Sequence, residues 1–449
     1  MRQRLKALIR VYGEYNLIEK YETARGRALL VGVSCPGLRG FESSDAETML
    51  ELRELTLTAG GDPLFEAMQN RHSPDPHTFI GEGKAEELKE IIEANELDLV
   101  IFDNEISPSQ TRALETELEC RVIDRNALIL DIFADRAKTA EGKLQVELAQ
   151  YKYMLPRLTR MWTHLVRQTA SGGSSPIGTR GPGETQLETD RRHIRRKIQK
   201  LELEIAEVKR IRATQRQKRQ KSQIPLICLV GYTNAGKSTL LNALTGAGVH
   251  AHDRLFDTLD PTTKTMKTQD LGDVLISDTV GFIRKLPHHL IDAFKATLEE
   301  LTYADVLVHV IDASSETWRE QADVVERLIV QLGAEKTPQI RVYNKVDLLS
   351  DDALPRESGT VLCSALKGIG LENLVDAFTS SLGEQLLPMS FVLPYADAAM
   401  LDRLYREANV QQADYQEDGI HVEAICDSKT QGWLGAYLGI ERELEDWEK

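Results

Sequence analysis

The chain has 449 residues, 41% hydrophobic and 28% charged, with a net charge of −15. That length suggests about three or four domains, with ample chain for several cores. No run of about eighteen apolar residues exists, so no membrane-spanning helix is expected. The five cysteines, Cys35, Cys120, Cys228, Cys363 and Cys426, form no C-x-x-C pair, which argues for a reducing cytoplasm and against disulfides or a zinc site.

The N-terminus carries Arg2, Arg4, Lys6 and Arg10 but lacks the apolar core of a signal peptide, so a cytoplasmic protein is expected. Residues 1–135 read as an N-terminal α/β domain. An apolar strand at 28–33 precedes Ser44-x-x-Glu47, a capping box for a helix that ends near Gly60-Gly61. A weaker strand lies near 63–68 and a helix runs from about Lys84 to Asn95. A third strand spans 97–102, Ser107-Pro108-x-Gln110 caps the next helix with proline at its first position, and 121–123 is a short fourth strand. This alternation implies a small parallel sheet with helices on its faces. Gly81-x-Gly83-Lys84 lacks the full spacing of a phosphate loop and reads as a helix-start turn.

Residues 136–222 change pattern. Leu144, Leu148, Tyr151, Leu155, Leu158, Trp162 and Leu165 step by four and three, an a/d seam that Pro156 should kink or divide. Residues 171–183, SGGSSPIGTRGPG, are too rich in glycine and proline for regular structure. Thr185-x-x-Glu188 then caps a second helix whose seam is Ile194, Ile198, Leu201, Ile205 and Val208. The two helices should pair antiparallel with the glycine-rich loop at their tip. Gly178 to Gly183 has phosphate-loop spacing, but Glu184 stands where the lysine must be, so a second nucleotide site is rejected. Residues 191–221 hold 13 Lys or Arg against three Glu, a net of +10 in an acidic chain. Such a run is often only a solvated helix face. Here acids for i,i+4 pairing are scarce, and Arg191, Arg192, Arg195, Arg196 and Lys197 flank a loop that carries Arg180. The stripe reads as a surface for RNA phosphates.

A nucleotide domain is expected over 223–383, with strands at 226–230, 274–277, 306–311, 339–343 and 361–363 in a doubly wound α/β sheet. The first strand runs into Gly231-Tyr232-Thr233-Asn234-Ala235-Gly236-Lys237-Ser238-Thr239, which opens a helix. Strand, glycine-rich turn and helix are the context that confirms a P-loop. Its amides and helix N-terminus cradle phosphates, Lys237 reaches the outer ones, and Ser238 can ligate magnesium. Asp278-Thr279-Val280-Gly281 closes a strand: the carboxylate holds magnesium and the glycine amide approaches the γ-phosphate. Asn344-Lys345-Val346-Asp347 names the base, because the Asp347 carboxylate accepts from two guanine donors that adenine lacks. Lys345 lies along the base, and Ser364-Ala365-Leu366 offers backbone donors to the guanine oxygen. In the first-switch position, residues 256–263 supply Thr258 as the hydroxyl that senses magnesium and γ-phosphate, with Thr262 and Thr263 as rivals. Lys237, Thr258 and Gly281 are therefore the catalytic candidates, with GTP or GDP and Mg2+ as cofactors. Phe282 stands where Ras-like enzymes have a water-orienting glutamine, so hydrolysis should be slow alone or completed by another group. Asn234 either holds potassium between the phosphates or only stabilises the loop. Residues 384–449, with 14 acids against five bases, suggest a small acidic α/β module for docking or capping.

These residues together resemble the HflX family of ribosome-associated GTPases over nearly the whole chain. The resemblance is carried by IGTRGPGETQLETDRR (177–192), LILDIFADRAKTAEGKLQVELAQ (128–150), FDTLDPTT (256–263) and DTVGFIRKLPHHLIDAFKATLEE (278–300), with Asp257 where alanine is expected. It implies a factor that binds the large ribosomal subunit in its GTP form, splits stalled or idle ribosomes, and is stimulated by them; a monomer is expected. It also implies that the loop at 172–183 points toward ribosomal RNA near the peptidyl transferase centre. Two other classes compete. A tRNA-modification GTPase shares the Asn-containing P-loop but is expected to carry a cysteine near its C-terminus, whereas this chain ends ELEDWEK after Cys426. A regulator of a membrane protease, without an RNA role, would associate peripherally with membranes and leave the basic helix unexplained.

Overall fold

The computed structural model describes residues 26–36, 44–158, 182–221, 224–248, 255–268, 272–286, 290, 299–350, 354–355, 359–383, 386–416, 418–427, 430 and 434. The chain divides into two compact units. One is Met1–Ala206 with Asp253–Leu259 and Arg284–Phe294; the other is Glu207–His252 with Asp260–Ile283 and Lys295–Lys449.

The first unit begins β1 (Arg27–Ser34), α1 (Ala46–Thr58), β2 (Asp62–Asn70), α2 (Glu82–Asn95), β3 (Leu99–Phe102), α3 (Pro108–Leu118), β4 (Arg121–Asp124). The four strands pair in parallel in the order β2-β1-β3-β4. All four residues of β3 and the middle six of β1 are buried, as strands covered on both faces require. Ser107 and Gln110 form the expected capping box. The cap of α1 is corrected by one residue. Asp45 accepts from the Thr48 amide at 2.8 Å, because a carboxylate is a stronger acceptor than a hydroxyl, while Ser44 donates to Asp103 Oδ2 at 2.6 Å. Gly81 is the N-cap of α2 and Lys84 pairs with Glu87 at 2.7 Å, so the Gly81 turn is a helix start.

Next come α4 (Arg125–Arg136) and α5 (Ala140–Arg157), capped by Asp124 and Thr139. Pro156 lies in the last described turn of α5, and Leu158 beyond it still donates to the Met154 carbonyl, so the proline does not break the described part of the helix. α6 (Pro182–Lys221) is 40 residues long. Thr185 sits inside it rather than capping it, since Pro182 has the pre-set φ of a first helical residue. Leu148, Leu158, Ile194, Ile198, Leu201 and Ile205 form one core with Leu144, Tyr151 and Leu155 against it, so the two seams meet, with Val208 outside this core. Lys152–Glu202 (2.9 Å) and Lys197–Glu147 (3.1 Å) flank it. Trp162, Leu165, Arg180 and loop residues 171–181 lie outside the described residues.

The second unit holds β5 (Leu226–Gly231), α7 (Lys237–Thr245), β6 (Thr262–Thr268), β7 (Gly272–Asp278), β8 (Val306–Asp312), α8 (Trp318–Gln331), β9 (Gln339–Asn344), β10 (Thr360–Leu362) and α9 (Leu371–Gly383). The sheet order is β10-β9-β8-β5-β7-β6, parallel except for β6, which pairs antiparallel with β7. Ile227, Leu229, Val306, Val308, Val310 and Val342 fill its core, each burial contributing about 1.5–3 kcal/mol. The switch stretch thus becomes a strand at Thr262, which the sequence pattern did not reveal. β11 (Leu386–Leu393), α10 (Ala399–Glu407), β12 (Asn409–Gln416) and β13 (Gly419–Asp427) follow, the strands in antiparallel order β11-β13-β12 around Phe391, Leu404 and Val422. Among the described residues, no helix is long and apolar enough to cross a membrane.

Candidate functional site: a nucleotide-binding centre

The site starts where β5 ends. A Cβ on Gly231 would lie 2.3 Å from the Val310 carbonyl oxygen, so only glycine lets β5 and β8 approach there. Asn234 and Gly236 then take left-handed backbones, φ 62° and 95°, and the chain turns into α7 with its amides at the helix N-terminus. Lys237, the first residue of α7, is buried and donates to the carbonyls of Gly231 (3.1 Å) and Tyr232 (2.9 Å). Burial pulls its ammonium down to about 8, with Asp278 opposing. Ser238 Oγ donates to Asp278 Oδ2 at 2.6 Å, and Asp278 is fully buried at the end of β7. Thr233 Oγ1 is buried in the same loop without a partner.

The backbone of Phe282 is bound into the loop. Its amide donates to the Gly231 carbonyl at 3.1 Å, and its carbonyl accepts from the Thr233 amide at 2.7 Å. The ring is 1% exposed, so it packs and offers no group to water. At Gly281 a Cβ would meet Thr233 Cα at 2.9 Å and Lys237 Nζ at 3.1 Å, so this backbone lies beside the lysine with no room for a side chain.

At the other end, Asn344 is a buried strut. Its Nδ2 donates to the Ala235 carbonyl at 2.8 Å, and its Oδ1 accepts from the Ala365 amide at 2.9 Å. Lys345, with φ 63°, reaches Asp312 Oδ2 at 2.7 Å. Asp347 lies in a 3-10 turn, Val346–Leu348; the Ser364 hydroxyl chiefly, and Lys367 at 3.6 Å, hold its carboxyl below the usual range. It is therefore ionised and an acceptor at neutral pH. Of the expected base donors, the Ser364 amide donates to the Ile369 carbonyl (2.9 Å) and the Ala365 amide to Asn344 Oδ1. Through Asn344 the Ala365 bond ties the turn to the P-loop, while Leu366 is 81% exposed.

Of the switch threonines, Thr262 stands opposite Asp278 in the β6–β7 ladder, and Thr263 donates its hydroxyl to Ser277 Oγ at 3.1 Å. Thr258 belongs to the Asp253–Leu259 segment of the first unit. There Phe256 meets Phe133 edge-on (centroids 4.7 Å apart) and Asp257 lies 3.9 Å from Arg136. On α6, Arg192, Arg195 and Arg196 are exposed, Arg191 is half-buried, and Lys197 is committed to Glu147. Sequence reasoning missed Asp312, whose signal was a carboxylate closing a buried strand. It also missed the strut role of Asn344, which leaves no signal because its partners are backbone atoms far along the chain.

The donor set fits magnesium. Among the described residues, no group of three or more His, Cys, Asp or Glu could hold a metal ion. Ser238 and Asp278 supply two hard oxygens, the number Mg2+ takes from protein when phosphates and water complete its shell.

Residues 226–345 match the family model described as 50S ribosome-binding GTPase. Residues 46–134 match GTP-binding GTPase N-terminal, and 136–219 GTP-binding GTPase Middle Region. The GTPase HflX of Caldanaerobacter subterraneus subsp. tengcongensis is 46% identical over 416 residues, covering 92% of this chain and 94% of that one. The chain belongs to the HflX family. The HflX GTPase of Escherichia coli K12 is also similar, 44% identical over 385 residues, 84% of this chain and 89% of that one. Solved structures resemble it more loosely. The SsGBP–GDP complex shares 27% identity over 79% of this chain and 98% of that chain, with a TM-score of 0.44. A GTP-binding protein from Sulfolobus solfataricus with GDP shares 26% over 80% and 99%, with a TM-score of 0.41. As an HflX protein this chain binds GTP and GDP and hydrolyses GTP.

Proposed function

We propose that this HflX GTPase binds the large ribosomal subunit in its GTP form and separates stalled or idle ribosomes. The observation that carries the reading is the match of residues 226–345 to a model described as 50S ribosome-binding GTPase, in a chain whose α6 exposes Arg192, Arg195 and Arg196. Arginines on one helix face bind RNA phosphates without reading sequence. In the nucleotide site, Lys237 neutralises the outer phosphates, and Asp347 and the Leu366 amide select guanine. Ser238 and Asp278 would hold magnesium, which would supply charge neutralisation, with Thr258 or Thr262 as the sensor hydroxyl. The Gly281 amide follows the γ-phosphate. Phe282 gives the attacking water no partner, so hydrolysis is slow until the ribosome contributes the missing group. Potassium is left out of this reading, since the left-handed backbone at Asn234 (φ 62°) is itself sufficient reason for asparagine. The test is co-sedimentation with large subunits. Binding with a non-hydrolysable GTP analogue and release with GDP is expected; equal recovery in both states would overturn the proposal.

A further inference from the structure

Asp312 closes β8 in the second unit. The sheet order puts β8 between β5, which carries the P-loop, and β9, which leads into Asn344 and Lys345. The three strands are parallel, so Asp312 stands on the carboxyl edge, where open α/β sheets bind their ligands. Its place on that edge lies between the phosphate loop and the base motif. The carboxylate is held from both sides: Oδ1 accepts from the Ser314 amide at 3.0 Å and the Ser314 hydroxyl at 2.6 Å, and Oδ2 takes the Lys345 ammonium at 2.7 Å. The backbone around it is fixed as well. Asp312 faces Asn344 in the β8–β9 register, and the Ala313 amide donates to the Asn344 carbonyl at 3.0 Å. Ile311, Ala313, Ala322 and Tyr343 join the two strand ends in a small core.

Lys345 is held at both ends. Its φ of 63° is a left-handed backbone that costs a lysine energy unless neighbours impose it. Here they do: the Lys345 carbonyl accepts from the Leu348 amide at 3.1 Å, and the Val346 amide donates to the Cys363 carbonyl at 3.3 Å. With the backbone fixed past β9 and the ammonium fixed at β8, the stem runs toward the P-loop side of the sheet. A lysine used as a plate lays its stem on an apolar surface and must satisfy its charge elsewhere. Asp312 supplies that partner, and the two side chains, 27% and 17% exposed, are shielded better than a surface ion pair.

We infer that Asp312 is a positioning residue for guanine nucleotides: it anchors the Lys345 ammonium and so holds the lysine stem where the base binds. The inference rests on the reading that Lys345 lies along the base. Without the anchor the stem regains its rotamers, and every nucleotide must order it again on binding. GTP and GDP share the base, so both lose affinity equally. The γ-phosphate chemistry is untouched.

The test uses the full chain and compares Asp312→Asn, Lys345→Met, their double variant and Lys345→Ala with wild type. Fluorescent GDP and a fluorescent GTP analogue are titrated beside steady-state hydrolysis, and Arg341→Met, which removes an exposed pair with Glu326, is the control. Asp312→Asn is expected to weaken both nucleotides about five- to tenfold, the size of reordering one long side chain. Its kcat at saturating GTP should stay within about twofold, as loss of binding common to ground and transition states requires. Lys345→Met keeps a stem but loses the anchor, so it should match Asp312→Asn, and the double variant should be no weaker than either. If Asp312→Asn yields no soluble protein, Ser314→Ala, which removes the 2.6 Å bond to the carboxylate, replaces it and must show the same split. Wild-type affinity in Asp312→Asn, additive losses in the double variant, or kcat and affinity falling together with a lowered Tm would overturn the proposal. Lys345→Ala separates the two readings. Wild-type affinity there would remove the lysine from the base, whereas its loss beside an unaffected Asp312→Asn would remove only the anchor.

Discussion

Removing the Asn344 side chain tests how the base end and the phosphate end are joined. In Asn344→Ala the Ala235 carbonyl and the Ala365 amide lose partners at 2.8 and 2.9 Å in a place where the side chain is 2% exposed. A buried backbone group left without a partner costs about 1–3 kcal/mol, so the pair costs about 2–6 kcal/mol, with the lower half applying if water enters the gap. At about 2–4 °C per kcal/mol for a unit of this size, Tm should fall by about 4–24 °C, and by about 4–16 °C over the lower half of that range. The P-loop would also lose a contact that fixes the carbonyl next to Gly236, so fluorescent-GDP affinity should weaken by about tenfold or more, as one lost coupling of about 1.4 kcal/mol gives. Scanning calorimetry and nucleotide titration on the same preparation measure both. A variant with wild-type Tm and wild-type GDP affinity would show that the loops hold themselves and that the strut is incidental.

Asp347→Asn should lose about a hundredfold or more in GTP affinity and gain xanthosine triphosphate affinity, since the carboxylate alone matches two donors on the base; competition titration reads both. The free Lys237 ammonium titrates at about 8, and phosphate favours its charged form, so binding takes up a proton above that pH. GDP affinity should therefore be about tenfold weaker at pH 9 than at pH 7, and a flat profile would remove the lysine from the phosphate contacts. Neutralising Arg192, Arg195 and Arg196 should reduce the log–log salt slope of large-subunit binding by roughly 0.7 to 0.9 per residue; an unchanged slope would make them a solvated face.

The parts legible in the sequence were those in which chemistry and local geometry coincide. Gly231 to Thr239, Asp278 to Gly281 and Asn344 to Asp347 each sit at a strand end, and the leucine and isoleucine seams at 144–158 and 194–205 meet in one core. What sequence could not supply was competition between neighbours. Ser44 and Asp45 both suit a cap, and the decision came from Asp103, far along the chain, which takes the serine hydroxyl. The Ala365 amide reads as a base donor, and that Asn344 accepts from it is not visible in the sequence. Thr262 reads as loop, yet its stretch becomes a strand because β7 offers an open edge.

The central claim is that a GTP-driven machine acts on whole ribosomes, and the most direct test is light scattering from intact ribosomes mixed with the protein. The account predicts that scattering falls as subunits separate with GTP or its non-hydrolysable analogue, and stays level with GDP. Level traces with saturating protein and GTP, in a preparation that still co-sediments with large subunits, would contradict ribosome splitting while leaving the GTPase intact.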